Sequence, residues 1–155
     1  MTFDEVKGAY WYMISEYTNA GVAAETPFGL DLAREWVNSD DEMKECAGWA
    51  TFSAVLSVRP NEELELDEIR GLLDTVQTTI HDAKNRVRYN MNGYVISVGA
   101  YVPELLDRAR EVADFIGKVS VDMGSTACKV PYAPDYIKKV IDKGRLGKKR
   151  KSARC

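Results

Sequence analysis

The sequence predicts an all-α protein: a HEAT- or armadillo-like α-α superhelix of about three helix pairs, with about seven helices. One segment occurs twice, because residues 27–37 read PFGLDLAREWV and residues 103–113 read PELLDRAREVA, 76 positions apart. Half of that distance is close to the roughly 40-residue period of helical-pair repeats. A second echo, Ala47-Gly48-Trp49 and Asn92-Gly93-Tyr94, is spaced by 45 residues. Such repeats bury their apolar faces by stacking, which creates a concave binding surface.

The first three helices follow from apolar residues at three- and four-residue steps. The first helix spans residues 3–20 and ends at Gly21. Pro27 suits the first turn of a second helix, which runs to residue 37. The turn at residues 38–41 caps a third helix over residues 41–58, and Arg59-Pro60-Asn61 ends it.

The same periodicity continues in the second half of the chain. It predicts four further helices, over residues 66–80, 85–98, 103–117 and 134–143, with Asn85 capping the fifth. The stretch from Lys118 to Pro131 has no helical period and is predicted to be an ordered loop, in which residues 119–121 could pair briefly. A loop of this length is often functional. Gly48 and Gly93 are each expected to mark close packing between helices.

Composition bounds the class of protein. The chain has 155 residues, about one domain, with 45% apolar and 29% charged residues, which is ordinary for a soluble protein. Its N-terminus is not signal-like and no apolar run is long enough to span a bilayer, so we expect a cytoplasmic protein with no membrane partner. The three cysteines, Cys46, Cys128 and Cys155, form no C-x-x-C pair, so we expect reduced thiols and neither a disulfide framework nor a zinc site. The sequence also has no Gly-rich phosphate loop and no carboxylate cluster suited to a metal, and we expect no metal and no cofactor.

Charge is divided unevenly along the chain. From Lys138 to Cys155 there are nine lysines or arginines and one aspartate, while the whole chain carries −3. An acidic body followed by a basic tail often indicates a polyanion contact. We therefore divide the chain into a helical-repeat domain, residues 1–147, and a basic C-terminal tail, residues 148–155. The alternative is that the tail is a solvated, frayed terminus.

Several segments resemble the AlkD-like DNA alkylation repair family of HEAT-like repeat DNA glycosylases. They are residues 85–99 (NRVRYNMNGYVISVG), residues 119–140 (VSVDMGSTACKVPYAPDYIKKV), the closing GKKRKSARC, the helix ending in AREWV and the following SDDEMKECAGWA. The resemblance covers nearly the whole chain but only the middle and C-terminal part of the family pattern, so we expect a short member or a C-terminal fragment. The resemblance implies that the concave face binds double-stranded DNA, alkylated in some cases. It also implies a glycosylase activity that removes N3- or N7-alkylated purines.

The resemblance also implies site residues. The family's Trp-Asp-x-x-Asp motif falls on residues 12–16, which places the catalytic aspartate at Glu16 and the tryptophan at Tyr12, while Met13 replaces the other aspartate. A carboxylate there would stabilise the oxocarbenium-like charge of the sugar. The groove arginine matches Arg88. The expected DNA-binding residues are Trp11, Tyr12, Arg86, Arg88, Asn92, Lys148, Lys149, Arg150 and Lys151.

Two hypotheses remain open from the sequence. The first is a DNA-binding protein of this family, with or without glycosylase activity, in which Arg88 and Glu16 line one groove. The second is a non-catalytic helical-repeat module that binds a protein partner, or forms a homodimer through its first helix. For Arg86, contact with phosphate and an ion pair with Glu45 or Asp82 are both considered.

Overall fold

The computed structural model describes residues 12–153, which contain helices and loops and no strand. A π-helical segment, Ile14–Asn19, continues directly into the short helix α1, Ala20–Ala24. Six further helices follow: α2 (Gly29–Trp36), α3 (Glu42–Val58), α4 (Leu66–Thr79), α5 (Asn85–Tyr101), α6 (Leu106–Ile116) and α7 (Ala133–Asp142). Single 3₁₀ turns precede α4, α5 and α6, at Asn61–Glu63, Ile80–Asp82 and Pro103–Leu105. The all-α prediction is confirmed.

The helices are arranged in two layers. The inner layer is α1, α3, α5 and α7, in which α3 packs against α1 on one side and α5 on the other, and α5 packs against α7. The outer layer is α2, α4 and α6, in which α2 covers α3 and α6 contacts both α4 and α5. The two copies of the duplicated segment belong to α2 and α6, and Gly48 and Gly93 lie on the neighbouring helices α3 and α5. The sequence repeat is therefore a repeat of helix pairs.

The main core lies between the layers and contains aromatic residues of α3 and α5, while Trp36 of α2 belongs to a smaller cluster with Ala23 and Ala47. Trp36, Trp49 and Tyr94 are all fully buried. The ring of Tyr94 meets that of Trp49 edge-on at 5.4 Å, and its hydroxyl donates a hydrogen bond of 3.1 Å to the carbonyl of Ile69 in α4. Burial of such rings contributes several kcal/mol each, since truncating one to alanine typically costs about 3–5 kcal/mol.

The two glycines of the repeated motif have different surroundings. A Cβ on Gly48 would lie 2.5 Å from the backbone nitrogen of Val37, so the close packing predicted there is confirmed. A Cβ on Gly93 would meet nothing within 4 Å, so the same prediction is wrong for Gly93. A helical glycine costs about 1 kcal/mol relative to alanine, and at Gly93 no helix contact compensates for that cost.

Two helix ends differ from the sequence prediction. The first helix does not end at Gly21, because Gly21 is buried against α3 within a helix that continues to residue 24. Asn85 does not cap α5, since Lys84 occupies the N-cap position and Asn85 is the first helical residue. Its side-chain amide instead donates to the carbonyl of Asp122 at 2.9 Å, and its oxygen accepts from the Asp122 N–H at 2.8 Å.

The loop after α6 is ordered against α5, and residues 119–121 are not in a strand. Asn85 holds it at one end, and the amide of Asn92 holds the other end by donating to the carbonyl of Pro131 at 2.8 Å. Both anchoring side chains come from α5, two turns apart. The loop therefore extends the inner layer.

The basic tail is docked on the domain through Ala153. The ammonium group of Lys149 donates to the carbonyls of Leu56 (2.7 Å) and Tyr101 (3.1 Å), which belong to the last turns of α3 and α5. A lysine at a helix C-terminus also interacts favourably with the negative end of the helix dipole. The N–H of Arg150 donates to Ser57 at 2.7 Å. Residues 148–153 are thus packed against the repeat domain rather than frayed.

Candidate nucleic-acid interface

A pocket of about 320 Å³ lies between α3 and α5 on the inner layer. Its lining is mostly small: Ala50, Ser53, Ala54 and Ser57 of α3, and Gly93 and Ser97 of α5. These residues recur at three- and four-residue steps, so each helix turns one small-residue face to the pocket. Tyr17, Tyr89 and Tyr101 complete the sides, and Glu16 and Arg150 contribute opposite charges.

The Glu16 carboxylate forms an ion pair with an arginine, Arg86. Arg86, in the first turn of α5, donates from Nε to Oε1 of Glu16 at 2.9 Å and from Nη2 to Oε2 at 2.6 Å. The side chains are 1% exposed for Glu16 and 12% for Arg86, so both charges are removed from water. Burial alone lowers the pKa of Arg86, but the hydrogen bonds and the charge of Glu16 outweigh it and raise that pKa overall. The pair is a buried, bidentate ion pair.

Aromatic rings cover the Arg86 guanidinium. Its central carbon lies 3.9 Å from the ring centre of Tyr12 and 4.4 Å from that of Tyr89. Its remaining nitrogen, Nη1, is 3.4 Å from the sulfur of Met123 in the loop after α6. Two ring faces, a carboxylate and a thioether therefore surround one planar cation, an arrangement in which cation–π attraction adds to the ion pair.

Acidic residues of α3 explain how cations are tolerated at the start of α5, where the helix dipole opposes them. The Glu42 carboxylate accepts a hydrogen bond of 2.8 Å from the backbone N–H of Arg86. Glu45 pairs with Lys84 at 2.9 Å. The ion-pair alternative for Arg86 is thus the one observed, with Glu16 as the partner in place of Glu45 or Asp82.

Comparison with known proteins defines the relationships of the chain. No protein-family model matches it. Uncharacterized proteins of Listeria monocytogenes and Listeria innocua are 36% and 34% identical to it over 120 residues, which make up 77% of this chain and 50% of each relative. A solved structure matches 98% of this chain and 65% of its own, with a TM-score of 0.90 and 34% identity. It is described as representing a new family related to the HEAT-like repeat DNA glycosylases with affinity for branched DNA structures.

This chain is similar in fold and sequence to a member of a family related to the HEAT-like repeat DNA glycosylases. The resemblance and the HEAT-like fold predicted from the sequence are both confirmed. The chain spans half the length of the curated relatives that it matches, and 65% of the solved structure. What is known of the whole relatives is therefore a guide to this chain and not a description of it.

The two residues aligned with the glycosylase motif, Tyr12 and Glu16, lie together around Arg86. Tyr12 and Glu16 are on the first described turns and face α5, as the resemblance implies. Their partner is Arg86, whereas Arg88 donates to Asn85 at 3.2 Å and does not line the pocket. Arg88 therefore does not share this pocket with Glu16, and the expectation that both line a DNA-binding groove stays a prediction.

Two predicted DNA-contacting side chains have structural roles. Asn92 is fully buried, and its amide holds the loop at Pro131. Lys149 binds the carbonyls at the ends of α3 and α5, and burial lowers its pKa. Neither side chain is presented to a ligand in this conformation.

The other basic residues of the tail are exposed. Lys148, Arg150 and Lys151 all have exposed side chains, and Arg150 lines the pocket. Trp11, also predicted to contact DNA, lies outside the described residues. The pocket tyrosines were not predicted, although Tyr89, Gly93, Ser97 and Tyr101 follow four-residue steps on a face of α5 distinct from its apolar stripe.

Other types of site find no support in the part of the chain that the structure describes. Within residues 12–153, no three His, Cys, Asp or Glu side chains are grouped so that they could hold a metal ion. No helix in the same range is both long and apolar enough to cross a membrane.

Proposed function

We propose that this chain binds DNA through the inner layer around the pocket, and that branched DNA is its substrate class. The observation that carries the proposal is the near-complete structural match to a protein whose family has affinity for branched DNA. The match extends across α3, α5, the loop and the tail, which together surround the pocket.

The distribution of charge supports this proposal. Phosphate contacts supply most of the affinity of DNA-binding proteins, and they come from lysine and arginine. The exposed Lys148, Arg150 and Lys151 are held in one place because the tail is bonded to α3, α5 and Glu25. A fixed basic cluster at one end of the pocket can attract phosphates locally, even though residues 1–137 are acidic overall.

The geometry favours binding over glycosidic cleavage. An oxocarbenium-like transition state needs an available negative charge beside the sugar. Both oxygens of Glu16 are already bonded to Arg86, which neutralises that charge. We therefore propose a DNA-binding protein in which the Glu16 position serves structure, and we expect no release of 7-methylguanine from methylated DNA above the uncatalysed background.

Fluorescence anisotropy with labelled four-way junctions, three-way junctions and linear duplexes of equal length tests the proposal. We expect tighter binding to the junctions, with an affinity that falls steeply as salt rises. Replacing Lys148, Arg150 and Lys151 together by alanine should reduce the slope of log affinity against log salt by roughly 3, since each phosphate contact contributes about 0.9.

The matched control is Arg70→Ala on the outer helix α4, where Arg70 is exposed and far along the fold from the pocket. It removes a positive charge without touching the tail and should leave binding and slope unchanged. Equal losses for the outer and tail variants, or no binding to any DNA, would contradict the proposal.

A second candidate function is association with a protein through the first helix. The π-helical segment and α1 expose Met13, Ile14, Tyr17 and Val22, each with between 38% and 44% of its surface accessible. Exposed apolar side chains that form one patch often mark an interface. Sedimentation velocity tests it: a dimer that Ile14→Glu dissociates supports self-association, and a monomer at all concentrations argues against it.

A further inference from the structure

We infer that the pocket between α3 and α5 receives the base of an unpaired nucleotide at a DNA branch point. The inference rests on the proposed function and specifies which part of a branched DNA the protein recognises. Paired bases in a duplex are stacked and cannot enter a protein pocket, whereas an unpaired base pays little to leave the stack. A branch point supplies such bases.

The size of the pocket fits a single nucleotide. Its volume of about 320 Å³ lies near the lower bound of about 300 Å³ for small-ligand sites. The space exists because the facing residues are small, notably Ala50 and Ser53 on α3 and Gly93 and Ser97 on α5. Larger side chains at these positions would close it.

The sides of the pocket suit a flat, uncharged ring. Tyr17, Tyr89 and Tyr101 all line it, and tyrosine rings can stack on bases without regard to sequence. Arg86 covers one face of Tyr89, which leaves the other face of that ring for a base. Partial burial and a hydrogen bond with Tyr89 raise the pKa of Tyr17. Base recognition of this kind would depend on shape more than on sequence.

The charges at the pocket suit the phosphate attached to such a base. Arg150 lines the pocket and its side chain is exposed, so it can contact a phosphate. Among the described residues that line the pocket, Glu16 is the one carboxylate, and its pairing with Arg86 weakens its repulsion of an anion. A neutral base inside and its phosphate near Arg150 match this arrangement.

Gly93 gives an independent reason to regard the opening as built for a ligand. The glycine has no close neighbour that requires the absence of a Cβ. Its absence of a side chain does, however, keep the pocket open. A ligand that approaches the backbone of α5 accounts for a glycine at this position, since glycine permits such an approach.

The experiment compares two helical glycines that both have space for a side chain, of which Gly93 lines the pocket and Gly71 does not. Gly93→Leu fills the pocket, whereas Gly71→Leu adds the same side chain to an exposed, open position on the outer helix α4. Both changes replace a helical glycine by a better helix former, so neither should unfold the protein. Thermal unfolding of both variants, and a second pocket variant, Ser97→Leu, test for any general damage.

The probes are two three-way junctions of the same sequence, one fully paired and one with a single unpaired 2-aminopurine at the branch. Wild-type protein should bind the second junction about tenfold more tightly, in line with the contribution of one stacked base, and should quench the 2-aminopurine fluorescence. Gly93→Leu and Ser97→Leu should lose the preference and the quenching, while Gly71→Leu should keep both.

The outcomes separate the inference from the function on which it rests. If wild-type protein binds both junctions equally, or if the pocket variants keep the preference, the inference is overturned while DNA binding stands. If the pocket variants weaken both junctions to the same extent, the pocket contacts DNA without selecting an unpaired base, which also overturns it. No binding of wild-type protein to either junction would refute the proposed function itself.

Discussion

Replacing Glu16 by glutamine should destabilise the fold strongly, because it leaves the buried Arg86 cation without its counter-charge. Breaking a buried ion pair from one side typically costs about 3–5 kcal/mol. Glutamine retains one oxygen as an acceptor for the guanidinium, and the rings of Tyr12 and Tyr89 still cover the cation. We therefore expect a loss at or just below the low end of that range, about 2–3 kcal/mol, and for a chain of this size a fall in Tm of roughly 4–12 °C.

The assay is thermal and urea unfolding followed by circular dichroism, with Glu68→Gln as the matched control. Glu68 also forms a bidentate pair, with Nε and Nη2 of Arg34 at 2.7 and 2.9 Å. That pair lies on the outer layer, with the side chains 41% and 29% exposed. Because water screens such a pair, the control should lose no more than about 1 kcal/mol.

A double variant separates the buried charge from the contact itself. Combining Glu16→Gln with Arg86→Met removes both charges and keeps an unbranched side chain between the two tyrosines. It should be more stable than Glu16→Gln alone, because no unpaired cation remains buried. The reasoning is refuted if Glu16→Gln and Glu68→Gln lower Tm equally, or if the double variant is the least stable of the three.

Three further predictions concern packing, the tail and the thiols. Gly48→Ala should lower the free energy of unfolding by about 1–3 kcal/mol because its Cβ would overlap the end of the α2 backbone. Gly93→Ala should raise the free energy of unfolding by up to about 1 kcal/mol. Urea unfolding checks both, since the two changes should have opposite signs. Lys149→Met should cost about 1–3 kcal/mol, since two helix-end carbonyls lose a charged donor, and an unchanged urea midpoint would contradict this. Burial raises the pKa of the Cys46 thiol, so peptide mapping after thiol labelling should find it modified only after unfolding, unlike the exposed Cys128.

The helical repeat could be predicted from the sequence because it depends on local periodicity. Helices α2 to α7 lie where the apolar steps placed them, with ends that differ by a few residues at most. The cap at Asp41 is also local, and its side chain accepts from the Lys44 N–H at 3.0 Å as a capping turn requires. Features that depend on only one or two helical turns can thus be predicted from the sequence.

The site depends on contacts between distant parts of the chain, which sequence patterns do not encode. Glu16 and Arg86 are 70 positions apart, and nothing in either local sequence selects one as the partner of the other. The resemblance placed Arg88 in the groove, but the choice between positions 86 and 88 depends on how α5 is rotated against α3. That rotation follows from packing of the whole inner layer.

The fate of the tail was equally inaccessible, since a run of basic residues reads the same whether it is solvated or docked. The tail is docked because carbonyls at the ends of α3 and α5 need donors, and Lys149 is within reach of both. The chain turns back toward α5 at Gly147, whose φ of 74° lies in the region that favours glycine. Its N–H donates to Ala100 at 2.8 Å.

The two hydrogen bonds from Lys149 have a mechanical consequence. One ammonium group links the C-terminal ends of α3 and α5, which belong to neighbouring repeats. The distance between the repeats at that end therefore depends on a side chain of the tail. Removing Lys149 together with the residues after it would therefore do more than remove positive charge. It would also remove the link between the ends of α3 and α5, and the curvature of the superhelix would be free to relax.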